Sequence, residues 1–367
     1  MSGTSLDGID IAIVDIANGG VCQLAAAKTF SFPDHLLKTL HLVIREQHCN
    51  FAQLGSLNVE LGQLIAHNIN ALLEETSLSA EAISAIGCHG HTLFHSPDSQ
   101  YPFSMQIGDA HTIAELTSIR TVADFRQRDI ASSGQGAPLV PAFHSHVFNS
   151  QSESRAVINI GGISNISYLP CNDNEVIIGF DSGPGNTLLD AWIKRHLNRA
   201  YDENGEWAAQ GQVNLTLLEQ FLDDPYFAQV VPKSTGREYF NLNWLDKQLS
   251  NYRQTISAQD VQATLLHLTA QVIAKDIQYH CPTVGSVFIC GGGSHNKALF
   301  NLLTSLLPEQ IVATTEILGI HPDWVEACAF AWLAYRTCNN MPGNIPSVTG
   351  ASHPVILGAI YSSNDDS

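Results

Sequence analysis

The sequence predicts an α/β protein built in two parts, and three observations carry that reading. At 367 residues the chain exceeds the roughly 250–300 at which one hydrophobic core stops growing. β-Branched strand patterns mix with amphipathic helical patterns in both halves, the signature of sheets covered by helices. Between the halves lies a charged stretch, residues 124–141 (DFRQRDIASSGQGAPLVP), whose glycines and prolines argue against regular structure. The domain boundary is expected there. It gives an N-terminal lobe of residues 1–125 completed by about 345–367, and a C-terminal lobe of residues 126–344.

In chain order, residues 9–16 (IDIAIVDI) alternate, are rich in β-branched side chains and read as a strand. Helical spacing of apolar residues follows over 32–47 and 54–75. Residues 85–88 read as a short buried strand ending in a polar loop over 89–95. Asp109 is placed to cap a short helix ending at 117, and residues 118–123 form another strand. Beyond the charged stretch, 155–160 and 166–169 read as paired strands around Gly161-Gly162. A strand over 176–180 runs into Asp181-Ser182-Gly183-Pro184-Gly185-Asn186. The helix after it shows Leu188, Leu189, Trp192, Ile193 and Leu197 on one face. A long helix over 258–279, an apolar strand over 286–290 and a last apolar helix over 324–336 complete the reading.

Composition narrows the function. Apolar residues make up 44 % and charged ones 14 %, enough to build cores and too apolar for a disordered chain. Seventeen basic against 35 acidic residues leave a net charge of −18, which repels phosphate backbones and anionic lipid. No nucleic-acid or membrane partner is expected. No run approaches the roughly 20 apolar residues of a membrane span, and the N-terminus lacks the pattern of a signal peptide. The eight cysteines are scattered without a CxxC pair, so reduced thiols and a cytoplasmic location are expected.

Three glycine-rich turns abut strands. In the first, Gly3-Thr4-Ser5-Leu6-Asp7-Gly8-Ile9-Asp10, backbone amides and the Thr4 and Ser5 hydroxyls suit phosphate oxygens, and Asp7 or Asp10 suits a magnesium held through water. An ordinary Asp-Gly hairpin turn is the alternative. The second sets Asp181 at a strand end directly before a helix N-terminus, a base beside donors for phosphate. Asn186 is the expected helix cap there, which leaves Asp181 free for chemistry. In the third, Gly291-Gly292-Gly293 lets a flat ligand such as adenine lie on bare backbone. Neither GxxxxGK[ST] nor GxGxxG occurs, which disfavours P-loop and dinucleotide-binding enzymes.

Such turns resemble the two phosphate elements and the adenosine element of the actin/Hsp70/sugar-kinase superfold. Longer strings sharpen the likeness: MSGTSLDGID (1–10), DFRQRDIASSGQGAPLVPAFH (124–144), NIGGISNIS (159–167), GFDSGPGN (179–186), PKSTGREYFN (232–241), FICGGGSHN (288–296) and EACAFAWLA (326–334). Together, in this order, they resemble the anhydro-N-acetylmuramic acid kinases. The resemblance implies a two-domain actin/Hsp70/sugar-kinase-like fold, a duplicated ribonuclease-H-like core with an interdomain active-site cleft. It also implies ATP and Mg2+ as cofactors, and phosphorylation of 1,6-anhydro-N-acetylmuramic acid coupled to hydrolysis of its anhydro ring. The product would be N-acetylmuramic acid 6-phosphate, in bacterial cytoplasmic peptidoglycan recycling, by a homodimer. Because family members carry a strand before the MSGTS string, it further implies a strand ahead of Met1.

Residue by residue, the likeness makes Asp181 the general base for the attacking water. Residues Gly3 through Asp10 with Gly161, Gly183, Gly185, Asn186, Gly291, Gly292 and Gly293 would hold the nucleotide. Glu326 would contact the sugar, and Arg126 and Asp129 would bind its lactyl carboxylate or order the cleft. The Cys88-His89-Gly90-His91-Thr92 string with His95 has zinc-suited side chains, but histidines this close on an extended segment do not converge on one ion. His91 stands where the family has glutamine and is expected to line the sugar side. Three rivals remain: a plain sugar kinase using the same base, an actin- or Hsp70-like nucleotide switch, and a glycosidase pairing Asp181 with Glu326.

Overall fold

A computed structural model describes the chain except residues 4, 5, 18, 19, 21, 173, 253 and 364–367. The N-terminal elements are β1 (Ile9–Ile16), β2 (Cys22–Phe30), α1 (Asp34–Glu46), α2 (Phe51–Thr76), β3 (Ile86–Gly87), β4 (His91–Ser96) and β5 (Phe103–Ile107). Next come α3 (Ala110–Thr117), β6 (Thr121–Ala123), α4 (Phe125–Ala131), α5 (Val140–Phe148), β7 (Ser154–Ile160), β8 (Ile163–Leu169), β9 (Ile178–Pro184) and α6 (Thr187–Leu197). They are followed by α7 (Glu206–Ala209), α8 (Leu215–Leu222), α9 (Leu242–Asn251), α10 (Ala258–His280), β10 (Val284–Cys290), α11 (Lys297–Leu306) and β11 (Ile311–Thr314). Last are α12 (Val325–Cys338), α13 (Pro346–Thr349) and β12 (Ala359–Tyr361).

The chain divides into two units, Met1–Val147 with Trp324–Ser367, and Phe148–Asp323. In the first, β1 and β2 form a hairpin with Ile9 opposite Phe30. A separate sheet has the order β12-β6-β3, and β4 pairs antiparallel with β5. Helix α1 buries Leu36, Leu40 and Val43, spaced four and three apart as one helical stripe requires. Asn50 starts α2 by accepting from Gln53 N at 2.8 Å, and Asp109 starts α3 by accepting from Thr112 N at 2.8 Å. Leu57, Leu61, Ile65 and Ile69 of α2 join Ile9 and Ile113 in one core, each such burial contributing roughly 1.5–3 kcal/mol. Between β1 and β3 opens an apolar cavity of about 640 Å³, floored by Ile65 and Leu72 of α2 and Ala327 and Ala331 of α12.

The second unit holds one five-stranded sheet of order β11-β10-β7-β8-β9. β7, β8 and β9 run as an antiparallel meander, and β10 and β11 extend it in parallel. That is the ribonuclease-H-like order. Helix α10 packs against β8, β9 and α6, burying Val261, Leu265, Leu268, Val272 and Ile277.

Several elements differ from the sequence reading. Residues expected as a polar loop form β4, because in a half-exposed hairpin only one face carries apolar side chains. The stretch expected to lack regular structure opens with α4, whose Phe125, Asp129 and Ile130 form a buried face; its glycines and prolines begin only at Gly134. That packing also places the unit limits after Val147 and before Trp324 rather than at 125/126 and 344/345. Glu326 therefore lies in the first unit. β9 continues through Asp181 to Pro184 instead of ending before it.

Candidate active site

In the second unit the chemistry gathers at Asp181, inside β9 and opposite Asn165 of β8. Asn165 Nδ2 donates to Asp181 Oδ1 at 2.7 Å, while Ser234 Oγ and the Thr235 amide donate to Oδ2 at 3.1 and 3.0 Å. The backbone is pinned as well: Asp181 N donates to Lys233 O at 2.9 Å, and Tyr226 Oη donates to Asp181 O at 2.6 Å. Burial pushes the carboxyl pKa up; the Thr235, Asn165 and Ser234 donors oppose this, and nearby Glu238 adds to it. The net shift is upward, which makes the group a stronger base than a solvated aspartate.

The phosphate donors expected just after Asp181 are already bonded within the protein. The amides of Gly185 and Thr187 donate to Gly162 O at 2.9 and 3.0 Å, and that of Asn186 donates to Gly161 O at 2.9 Å. A Cβ at Gly185 would stand 2.4 Å from Gly161 O, so glycine is needed for this close approach. Nor does Asn186 cap α6 with its side chain; its Nδ2 reaches back to Ile160 O at 3.4 Å. Gly183 is buried against Phe227. These three residues shape the turn, and Gly161 of the β7–β8 turn is half-buried, with open space at its Cβ position out to 3.7 Å.

The triple glycine shows a division of labour. Gly291 has φ +77°, and a Cβ there would fall 2.3 Å from Asn159 Oδ1; a Cβ on Gly293 would fall 2.3 Å from Ile160 Cγ2. Gly292 has nothing within 4 Å, so no packing requirement of the described residues keeps a side chain off it. A flat ligand against the backbone would supply one, as expected for adenine. Gly292→Val is therefore expected to raise KM for ATP about tenfold while leaving the melting temperature within about a degree; steady-state kinetics beside calorimetry checks both.

In the first unit, Thr4 and Ser5 of the early turn lie outside the described residues. Leu6 and Ile9 are core side chains, 4 % and 1 % exposed; the Leu6 amide donates to Gly3 O at 3.2 Å and Ile9 pairs with Phe30. Gly8 backs onto Thr29, Gly3 is half-buried, and Asp7 is exposed. Asp10 is half-buried, with Oδ1 accepting from Thr29 Oγ1 at 2.7 Å.

Arg126 is a half-buried organiser. Its Nε and Nη2 lie 3.2 and 2.9 Å from His89 Nε2, and Nη1 donates to Gly136 O at 2.8 Å. Burial lowers its pKa to about 10, and the facing carboxylates of Glu326 and Asp129 oppose that shift. Two groups named for the sugar, Arg126 and half-buried Glu326, are thus brought within electrostatic reach. Asp129 is not exposed to any ligand: it is 0 % exposed, and its oxygens take Asn344 Nδ2 and Thr349 Oγ1 at 2.7 Å each and the Gly136 amide at 2.8 Å. So enclosed, it ties Gly136 to the Asn344 and Thr349 side chains.

His91 is likewise 0 % exposed, its Nδ1 3.1 Å from Ser2 Oγ and its Nε2 without a hydrogen-bond partner among the described residues. His95 turns instead to Ser104 Oγ at 2.9 Å. Burial lowers the His91 pKa to about 4, with His41 adding to the shift. A depressed histidine favours the fold fully above its unfolded pKa near 6.5, and loses that advantage as pH falls toward about 4. At pH 5 the loss is about 2 kcal/mol. Replacing His91 by Gln is expected to flatten the decline in melting temperature between pH 7 and 5.

Sequence reasoning quoted the strings that hold Asn165, Lys233, Ser234, Thr235 and Arg237 but gave none of these residues a role. Arg237 lays its guanidinium against Gly162, 2.8 Å from where a Cβ would sit, on the same turn that holds Gly161. The available signal was a lysine and an arginine spaced around Ser-Thr-Gly in a charge-poor chain.

Comparison with known proteins bears on this arrangement. Residues 1–363 match the family model described as anhydro-N-acetylmuramic acid kinase. A protein named anhydro-N-acetylmuramic acid kinase from Pasteurella multocida (strain Pm70) is 50 % identical over 367 residues, covering 100 % of this chain and 96 % of that one. One of the same name from Shewanella denitrificans is 49 % identical over 362 residues, covering 99 % and 97 %. Another, from Coxiella burnetii (strain Dugway 5J108-111), is 48 % identical over 361 residues, covering 98 % and 96 %. Among solved structures, the activator of the 2-hydroxyisocaproyl-CoA dehydratase from Clostridium difficile with bound ADPNP matches with a TM-score of 0.43 and 13 % identity. It covers 90 % of this chain and 96 % of that chain. No helix among the described residues is long and apolar enough to cross a membrane.

Proposed function

The chain belongs to the anhydro-N-acetylmuramic acid kinase family, and from that premise we propose that it couples two events in one turnover. Water adds to the anomeric carbon of 1,6-anhydro-N-acetylmuramic acid as the bond from that carbon to O6 breaks. O6 then takes the γ-phosphoryl group of ATP. The products are N-acetylmuramic acid 6-phosphate and ADP, and the water's proton passes to Asp181. This is a step in amino-sugar recycling from peptidoglycan, in the bacterial cytoplasm.

The observation that carries the reading is the Asp181 carboxylate itself. Three donors fix its orientation, and burial raises its basicity. A base so placed contributes typically 10²–10⁴-fold. Phosphoryl transfer needs mainly positioning and charge neutralisation. The bare backbone at Gly292 supports an adenine seat, and Gly161 with Arg237 offers a phosphate-suited turn. We assign Gly3 and Leu6 through Asp10, the described residues of the early segment, to the nucleotide phosphates as well. Asp7 and Asp10 provide hard carboxylate oxygens, the type magnesium takes alongside water and nucleotide phosphates. When bound, that ion neutralises phosphate charge. Arg126 and Glu326 are the groups we assign to the sugar.

A second reading keeps the same base: Asp181 deprotonates a sugar hydroxyl, and no ring opens. Product mass separates the two. Incubation with ATP, magnesium and the anhydro sugar should yield a product heavier by one phosphoryl group and one water. A gain of phosphoryl alone would establish the plain kinase, and an unchanged sugar would sink the assignment.

A further inference from the structure

A buried ion pair behind Asp181 has no part in the reaction as described above. Lys233 is 5 % exposed and its ammonium lies 3.5 Å from Asp276 Oδ2 of α10. The same ammonium sits 5.1 Å from the centre of the Tyr226 ring. Among the described residues, no hydrogen bond of normal geometry reaches Lys233 Nζ or Asp276 Oδ2. Lysine is almost never buried without a partner, because removing its charge from water is costly. An apolar residue would fill this site at less cost, so the pair invites a functional account.

The position of Lys233 in the chain supplies one. Its carbonyl accepts the Asp181 amide at 2.9 Å, and the next two residues provide the Ser234 hydroxyl and the Thr235 amide that hold Asp181 Oδ2. Three consecutive residues therefore form a strap over the carboxylate, and the first is anchored to α10 by its side chain. Tyr226 serves both ends, with its ring under the ammonium and its hydroxyl on Asp181 O at 2.6 Å.

We propose that Lys233 is a positioning residue for Asp181: its anchoring to Asp276 and Tyr226 holds the 233–235 strap in place, and through it the orientation and ionisation of the carboxylate. The inference rests on Asp181 being the base. Groups facing Asp181 are Glu238 and Tyr226; those facing the pair are Tyr226, His280, Cys281 and the Ser182 hydroxyl. Burial raises the Asp276 pKa, while Lys233, Ser182 and His280 oppose that shift. The Thr235 and Ser234 bonds lower the Asp181 pKa, so loosening the strap raises it further.

The test compares Lys233→Met with the charge-balanced double variant Lys233→Met/Asp276→Leu, following the pH dependence of kcat/KM for the sugar. In both, kcat is expected to fall about 10–100-fold, with KM for ATP within about twofold and the acid limb displaced upward by about one pH unit. The double variant, which leaves no lone buried charge, should melt within a few degrees of the parent. An acid limb that stays in place, or a loss of activity that tracks melting temperature and disappears in the double variant, would overturn the proposal. Should Lys233→Met fail to fold, the double variant and Asp276→Asn carry the same readouts. Asp181→Asn in the same assay separates the two levels. Wild-type turnover there removes the base on which this rests. An inactive Asp181→Asn beside an unmoved acid limb removes the strap inference alone.

Discussion

Asp181→Asn is expected to lower ring opening and phosphorylation together, by about 10³-fold, with KM for ATP unchanged within about twofold. The amide keeps the volume of the carboxylate and removes the proton acceptor. It also presents an N–H group where Asn165 Nδ2, Ser234 Oγ and Thr235 N all donate now. One of those donors loses its acceptor, which costs about 1–3 kcal/mol of stability. The assay is therefore run well below the lowered melting temperature. Loss of the phosphorylated, ring-opened sugar, read by mass spectrometry, supports one base serving both events of the turnover. Phosphorylated but unopened sugar would show transfer to a free hydroxyl instead of O6, with a requirement separate from ring opening. Retained activity would exclude Asp181 as the base.

The largest expected effect on stability comes from Asp129→Ala. Asn344 Nδ2, Thr349 Oγ1 and the Gly136 amide would all lose a buried acceptor. At about 1–3 kcal/mol for each group left unsatisfied, the loss reaches about 3 kcal/mol or more even after relaxation. The chain segment Asn344–Val355 is held to the same node, since Val355 N donates to Asn344 Oδ1 at 2.7 Å. A large drop in the urea midpoint is expected. A variant as stable as the parent would show that the node is redundant. Because Asp129 has no exposed surface, sugar binding should weaken only as far as the fold does.

What the sequence could reveal of this site depended on how local each cause is. Asp181 was legible because an apolar run ends in a carboxylate followed by glycine, proline and glycine. The use of the amides after it was not, because their partners sit in the Gly161–Gly162 turn, on a strand pair whose register no local pattern announces. Asp129 was recognised as unusual and given either a ligand role or the ordering of the cleft, without the partners that enclose it. The groups that enclose it lie 215 and 220 residues further on, at Asn344 and Thr349. In the fold, long helices such as α2 and α10 follow directly from apolar spacing. β2, with its three central alanines, and β4, with two histidines, lack the β-branched alternation that marks β1. Glu326 was assigned to the other lobe because α12 lies late in the chain, although it packs against β1, β3 and β6.

The two units also differ in when they can be finished. Phe148–Asp323 is one uninterrupted stretch, whereas the unit around it needs chain from both sides. Synthesis runs from the N-terminus, so β11 and the whole five-stranded sheet exist before Trp324 leaves the ribosome. Asp129 must wait 215 residues for Asn344, and β6 must wait for β12, which pairs Ala359 with Ala123. During that interval the polypeptide carries a completed inner unit flanked by an open outer one, with Val122, Phe125 and Ile130 lacking their final cover. The last few dozen residues thus close the outer unit: a chain stopped short of them has every strand of the Asp181 sheet but leaves Arg126 without the helix that brings Glu326.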